Sequence, residues 1–304
     1  MTVDSSQTRL SHIAEVTWGT TPATPTLVNL RYTSESLNAN IENVVSNEIR
    51  ADRNVADLIQ VGQSAGGNVN FELSAGTFDT LLESLMYSTW STNVLKNGVT
   101  QKSVTLEKTF EGGATDQYHR FAGAIANSMS LSMQVGQIVT GSFGFVAKSV
   151  TVAQAAIASS SYTAVNTNAV MNAASGFGSL TITGATGPEL TALNLNISNN
   201  LRVQQAIGAV AARGVTAGRF VVTGDLTAYF ESAELYDMFL AGTAADLSFV
   251  LTDAASKSYT FAIANLKFSN CEVIAGGNDQ DVMVKMNFQG LFDTDSTLSI
   301  TRVP

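Results

Sequence analysis

Three stretches of the chain alternate apolar and polar residues with period two over seven or eight positions, and this constrains the fold more than any other feature. Leu37, Ala39 and Ile41 are set against Ser36, Asn38, Asn40 and Glu42. Val69, Phe71 and Leu73 are set against Asn68, Asn70, Glu72 and Ser74, and Met129, Leu131, Met133 and Val135 against Ser128, Ser130, Ser132 and Gln134. Such segments are half-buried antiparallel strands with one apolar and one polar face. A further strand is expected over Ile138–Ala147, weakened by Gly141 and Gly144. Only two stretches carry helical spacing: Phe78–Tyr87, with Phe78, Leu81, Leu82 and Leu85 on one face, and Ser232–Ala241, with Leu235, Met238 and Phe239.

Each helix follows a strand, and the two strand-to-helix units match. Gly67, Val69, Leu73, Phe78, Leu81 and Leu82 correspond to Gly224, Leu226, Phe230, Leu235, Met238 and Phe239 at an offset of 157. The preceding strand aligns at 156, pairing Leu37, Asn38, Asn40, Ile41 and Asn43 with Leu193, Asn194, Asn196, Ile197 and Asn199. Ala124-Ile125-Ala126-Asn127 returns as Ala262-Ile263-Ala264-Asn265 at 138, which leaves about 19 extra residues in the first copy, within Ser88–Tyr118. The expected architecture is mainly β with two α+β modules, 1–152 and 175–304, joined by a linker at 153–174. Each module would supply four long strands, a hairpin pair before its helix and another after it, with sheet edges lacking the Pro and Lys that block edge pairing.

Charged residues make up 13% of the chain, about half the usual quarter for soluble proteins, and mean hydropathy is +0.14. No apolar run approaches the length of a membrane helix, so no membrane partner is expected. A chain this poor in charge reads as a subunit that buries surface in an assembly. Its net charge of −9 argues against tight binding of a phosphate backbone. The first residues carry no apolar secretory core, so cytoplasmic synthesis is the expectation.

Cys271 is the single cysteine, and His12 and His119 are the only histidines. This inventory excludes an intramolecular disulfide, a Cys₄, Cys₂His₂ or three-histidine metal site, and no cofactor is expected. His119 stands near Asp116 and Tyr118 without a nucleophile elbow, and Cys271 lies in a strand-like run. Gly112–Asp116 and Gly276–Asp281 lack the spacing and closing Glu of an EF-hand and read as turns. No P-loop or dinucleotide fingerprint is present, so an enzyme is not expected.

The order of several segments is similar to that of a known family. Glu15-Val16-Thr17-Trp18-Gly19-Thr20-Thr21-Pro22 is followed by Thr33-Ser34-Glu35-Ser36-Leu37 and by Ser46-Asn47-Glu48-Ile49-Arg50-Ala51-Asp52-Arg53. In the second half come Gly218-Arg219-Phe220-Val221-Val222-Thr223-Gly224-Asp225-Leu226 and then Tyr229–Phe239. In this order the chain resembles, over nearly its whole length, the major tail tube proteins of long-tailed, non-contractile bacteriophages.

The resemblance implies a β-sandwich or barrel module with a flanking helix, whose inner sheets close into a ring. Stacked rings then form a hollow virion tail that conducts DNA from capsid to host. One-module members form hexameric rings, so a duplicated chain implies a homotrimer with pseudo-hexameric symmetry. Six modules of four inner strands, at about 4.8 Å spacing and about 40° tilt, give a backbone diameter near 50 Å, wide enough for transient passage of a DNA duplex. The implied partners are further copies of the chain and the tape-measure, terminator and distal tail proteins, with synthesis in the host cytoplasm.

With the apolar strand faces packed under the helix, the expected lumen-facing residues are Asn38, Asn40, Glu42, Asn68, Asn70, Glu72, Ser128, Ser130 and Ser132. From the second copy they are Asn194, Asn196, Ser198, Asp225, Thr227, Lys267 and Asn287. Carboxylates repel phosphate, and short hydroxyls and amides give it no multivalent cationic grip. The alternation alone equally describes a solvent-facing β-surface, and the resemblance decides between the two.

The segment 42–63 carries Glu48, Arg50, Asp52, Arg53 and Asp57, the densest mixed charge in the chain, and is too long for a simple hairpin. It is expected to be an arm reaching the next ring, where Arg50 and Arg53 meet acidic groups. A mobile solvated loop is the plainer reading. Met1–Arg9 and Thr294–Pro304 are further candidate interface arms. The alternative of a different class is a surface-displayed β-sandwich adhesin or shell protein, which shares the acidity, the Ser/Thr/Asn richness and the repeats.

Overall fold

The computed structural model describes residues 3–304. Its first half runs through β1 (Thr8–Ala14), β2 (Thr26–Asn29), β3 (Ser34–Glu35), β4 (Asn38–Val45), β5 (Leu58–Glu72), α1 (Asp79–Met86), β6 (Val94–Lys96), β7 (Val104–Phe110), β8 (Gln117–Gln134), β9 (Thr140–Ala147) and β10 (Ser149–Ala153). After β11 (Ser161–Thr163) come β12 (Phe177–Ile182), β13 (Leu190–Ser198), β14 (Arg202–Gln204), β15 (Gly214–Thr216), β16 (Val221–Tyr229), α2 (Glu234–Ala241), β17 (Ala245–Thr252), β18 (Ser258–Ile274), β19 (Met283–Gly290) and β20 (Ser299–Val303). The fold is mainly β, and its main sheet is curled.

The two halves pair their strands in the same order. In the first, β4 pairs β5, β5 pairs β9, β9 pairs β8, β8 pairs β7 and β7 pairs β1. In the second, β13 pairs β16, β16 pairs β19, β19 pairs β18, β18 pairs β17 and β17 pairs β12. The long strands β8 and β18 belong to two layers, running beside β7 or β17 first and beside β9 or β19 afterwards. The seam between halves is antiparallel pairing of Ser128–Gln134 in β8 with Ala192–Ser198 in β13. Eight strands thus form one curved sheet in the order β4-β5-β9-β8-β13-β16-β19-β18.

With Gly67 and Gly224 taken as equivalent, the other two strand matches read from the sequence are out of register with this ladder. Gly67 lies against Leu37, so close that a Cβ would fall 2.3 Å from the Ser36 carbonyl oxygen, and it sits opposite Phe145. In the second half Gly224 sits opposite Leu195 and Phe288, and a Cβ there would fall 2.3 Å from the Asn194 carbonyl oxygen. Leu37 therefore corresponds to Leu195, not Leu193. The β-bulges at Asn127 and Ser269 likewise make Ala126 correspond to Phe268, not Ala264. A slip by an even number of residues keeps every side chain on its own face, so alternation cannot detect it.

Each helix closes one apolar face. α1 buries Leu81, Leu82, Leu85 and Met86, and Phe78 before it packs at a tilt against Phe71 and Phe143 with ring centroids at 4.4 and 6.0 Å. Ser84, also buried, donates to the Lys102 carbonyl and accepts from the Ala126 amide. α2 buries only Leu235 and Met238 and leaves Leu240 exposed. The difference follows from the extra chain of the first half. Residues 87–103, with β6, run between α1 and β7, whereas only 242–244 separate α2 from β17.

The expected C-terminal arm, Thr294–Pro304, folds back instead. Its β20 pairs with β18 and β6 of the same chain, because the edge of β6 in the extra segment offers it a partner. Asp79 then accepts hydrogen bonds from Tyr259 and Arg302, tying α1 to the second half. Of the expected N-terminal arm, Thr8 and Arg9 belong to β1, Ser5–Gln7 form a 3₁₀ turn, and Met1 and Thr2 lie outside the described residues.

The stretch 153–174 is anchored along the first half. β11 pairs in parallel with β2, Tyr162 donates to the buried Glu107 at 2.5 Å, and the amides of Asn166 and Asn168 donate to the Ala75 carbonyl. Glu15, from the opening motif, accepts four hydrogen bonds, from the amides of Gly19 and Gly123 and the hydroxyls of Ser103 and Thr105. That motif is therefore a clamp between β1, β7 and β8.

Candidate channel face and assembly surfaces

Antiparallel partners point to the same side of a sheet, so the ladder shows which residues share the polar face. One row runs from Ser34 in β3 across seven of the eight strands, through Asn70, Ser142, Ser130, Asn196, Thr223 and Gln289 to Lys267. A second holds Glu72, Thr140, Ser132, Asn194, Asp225, Asn287 and Asn270. Asn68, Gly144, Ser128 and Ser198 form a third, and Thr227, Lys285 and Glu272 a fourth. Asn38, Asn40 and Glu42 continue the face along β4, opposite Gly66, Ser64 and Gly62. All sixteen residues named from alternation thus lie on one face of one sheet. Asn68, Ser128, Ser130, Ser142, Asn196, Ser198 and Thr223 line an open hollow of about 340 Å³ on it.

The ladder adds members that sequence reasoning missed. Asn270, Glu272, Lys285 and Gln289 share the face. Their signal was present in β18: Ser269-Asn270 is a doubled polar pair, as Asn127-Ser128 is in β8, and each marks the bulge where the alternation changes phase. With them the face carries Glu42, Glu72, Asp225 and Glu272 against Lys267 and Lys285, an acidic balance. Lys285 lies opposite Glu272, and Asn194 donates to the Asp225 carboxylate at 2.8 Å. The Glu42 carboxylate folds over Gly62 beside Gln205.

The arm is an extension of the β4–β5 hairpin beyond the sheet. Pairing runs out to Val45 and Leu58, and residues 46–57 form its tip. Arg50 makes a two-point contact with Asp52 of the same tip, at 3.0 and 2.8 Å, rather than leaving its charge open. That guanidinium, helped by the Asn54 amide, holds the Asp52 carboxyl down at about 2. Asp57 accepts from the Leu58 amide, and Arg53 takes the left-handed conformation at the turn, with Glu48 exposed nearby. Charge drew attention to this segment, yet its exposed surface is also apolar. Ile41, Val44, Val45, Ile49, Val55, Leu58, Ile59 and Val61 are all exposed. An apolar hairpin projecting from a sheet marks an interaction surface.

Two edges of the eight-stranded sheet are unpaired among the described residues. β4 pairs only with β5, and Lys267–Ile274 of β18 pairs only with β19. His119, weighed as a catalytic candidate, packs edge-on against Phe110 at 5.1 Å, and Cys271 lies opposite Met286 in the ladder. Among the described residues no helix is long and apolar enough to cross a membrane.

A curved mainly-β sheet with a projecting hairpin and open edges is a shape built for assembly, and the family comparison decides which assembly. The family model described as phage tail tube protein matches residues 5–290. The chain belongs to the phage tail tube protein family. A search of curated proteins finds no match. Membership makes it a structural protein of a phage tail, located in the virion tail and self-assembling there with other tail proteins.

Proposed function

We propose that three copies of this chain form a ring, that rings stack into a hollow tube, and that the concave polar face lines a channel through which DNA leaves the capsid. The observation that carries the reading is the repeated strand order. Two halves with the same pairing, joined through β8 and β13, make one third of a closed barrel of six like units. Closure also removes the two unpaired edges, which are otherwise a liability. The shared order further supports an origin by internal duplication, with modules at 1–152 and 175–304 and the docked segment 153–174 between them.

The channel role rests on chemistry. Short hydroxyls and amides hydrogen-bond weakly and interchangeably to a passing phosphate, and the surplus of carboxylates keeps it from settling. The arm, with Glu48, Arg50, Asp52, Arg53 and Asp57 at or beside its tip, is assigned the contact between rings. Since Arg50 already satisfies Asp52, the exposed Val and Ile of the hairpin supply most of that contact. Electron microscopy of the purified chain at high concentration tests the reading. Hollow tubes support it, and solid fibres or sheets of parallel strands would overturn it.

A further inference from the structure

We infer that neighbouring copies join by antiparallel pairing of the C-terminal part of β18 in one copy with residues 36–40 of the next, in the register that sets Cys271 opposite Ala39. The inference deepens the ring proposal and rests on it. Its template is inside the chain.

In the seam between halves, Ile197 lies opposite Met129, Asn196 opposite Ser130, and Leu195 opposite Leu131. The ladder equivalences carry each of these residues to the outer edges. The paired bulges at Asn127 and Ser269 carry Met129, Ser130 and Leu131 to Cys271, Glu272 and Val273. The matching sets Leu37–Gly67–Phe145 and Leu195–Gly224–Phe288 carry Leu195, Asn196 and Ile197 to Leu37, Asn38 and Ala39. Six-fold repetition of like units requires the outer seam to copy the inner one. The pairs across it are then Ala39 with Cys271, Asn38 with Glu272 and Leu37 with Val273.

The chemistry of the two edges agrees with that register. Leu37, Ala39, Cys271 and Val273 belong to the apolar face, and Asn38 and Glu272 to the polar one. A slip of one residue would turn Glu272 into the layer under the helices. Val273, now 38% exposed, would gain Leu37 as a neighbour. The outer pairs are smaller than the inner ones, Ala–Cys in place of Ile–Met and Leu–Val in place of Leu–Leu. The seam between chains is therefore the weaker of the two, which lets subunits exist apart before assembly.

The native cysteine is the probe. Ala39→Cys places a second thiol within disulfide reach of Cys271 of the next copy only in this register, while Ile41→Cys tests the register two residues away. On mild oxidation of assembled material, Ala39→Cys is expected to link chains at least about tenfold faster than Ile41→Cys, since a two-residue displacement exceeds disulfide reach. In the same tubes of unmodified protein, amides of 36–40 and 270–274 are expected to exchange more slowly than in dispersed subunits.

Tubes that link only through Ile41→Cys, or that leave those amides unprotected, overturn the inferred seam while the tube stands. A chain that stays dispersed yet links in pairs through Ala39→Cys keeps the seam and removes the ring. Dispersed chains that neither link nor gain protection overturn both.

Discussion

Leu131 of the first half and Leu195 of the second lie directly opposite each other in an antiparallel ladder, and both are buried. This pair sits at the middle of the seam that makes one curved sheet from two strand sets. Truncating it tests how far the halves depend on each other. Leu195→Ala should lower unfolding free energy by about 2–5 kcal/mol, the range for a buried leucine whose cavity cannot collapse. Denaturant titration followed by fluorescence of Trp18 and Trp90, both in the first half, reads the effect. A change below about 1 kcal/mol would mean that the seam contributes little to the fold.

His12 gives the subunit a pH dependence of defined sign. It is buried in β1 with its Nδ1 3.1 Å from the Val28 carbonyl oxygen, and burial holds its imidazole down at about 4. The unfolded chain binds the proton near 6.5, so the folded state prefers the neutral ring. Its contribution is complete above pH 6.5, declines as pH falls towards 4, and then levels off. The loss is on the order of 3 kcal/mol. The difference in stability between the wild-type chain and His12→Gln, measured from pH 7 to pH 4, should shrink by about that amount. A difference that stays flat over this window would contradict the assignment.

The buried Glu107 holds two things at once, Arg120 at 2.7 Å and the phenol of Tyr162 in the docked segment. Burial and the neighbouring carboxylate push the Tyr162 hydroxyl up to about 12, so it remains a donor at any working pH. Tyr162→Phe removes one hydrogen bond to a charged acceptor and should destabilise the segment by about 1–3 kcal/mol. Nicking by a protease of broad specificity within 153–174 should accelerate while the rest of the chain stays resistant. Glu107→Ala strands the Arg120 charge and should cost more, about 3–5 kcal/mol. Equal resistance to nicking in Tyr162→Phe and wild type would show that the segment is held elsewhere.

Reversing charge on the polar face separates assembly from transport. The double variant Glu72→Lys and Asp225→Lys changes two half-buried positions of the sheet. Tubes of normal length are expected, with DNA delivery slowed because the face now attracts phosphate. Infectivity of phage carrying the variant, scored beside tail length by microscopy, reads the two effects separately. Normal infectivity would remove these residues from the channel.

Shortening the arm should do the opposite. Replacing 46–57 by a two-residue turn removes only the tip beyond the Val45–Leu58 pair. The subunit should keep its thermal midpoint, and tube growth should fail. Tubes that still elongate would take the arm out of the contact between rings.

Much of this architecture is legible in the residues. The strands at 36–42, 68–74 and 128–135 and both helices follow from spacing, because a sheet with one buried face writes period two into its sequence. The register between copies does not follow. Leu37 matches Leu193 as well as Leu195 by residue type, and only the close approach of Gly67 and Gly224 to backbone separates them. The destination of the C-terminal strand was equally hidden, since pairing of Ser299–Thr301 with Val94–Lys96 joins positions far apart in the chain. The arm was found by its charges, whereas its exposed Val44, Ile59 and Val61 read in sequence as ordinary core residues.

Mass per axial repeat of the assembled tube, measured by scanning transmission microscopy with end-on class averages, tests the central proposal most directly. Three chains of 32.0 kDa in each repeat, with six-fold modulation of the inner wall, are expected. Six chains in each repeat would contradict the reading of one chain as two of six like units.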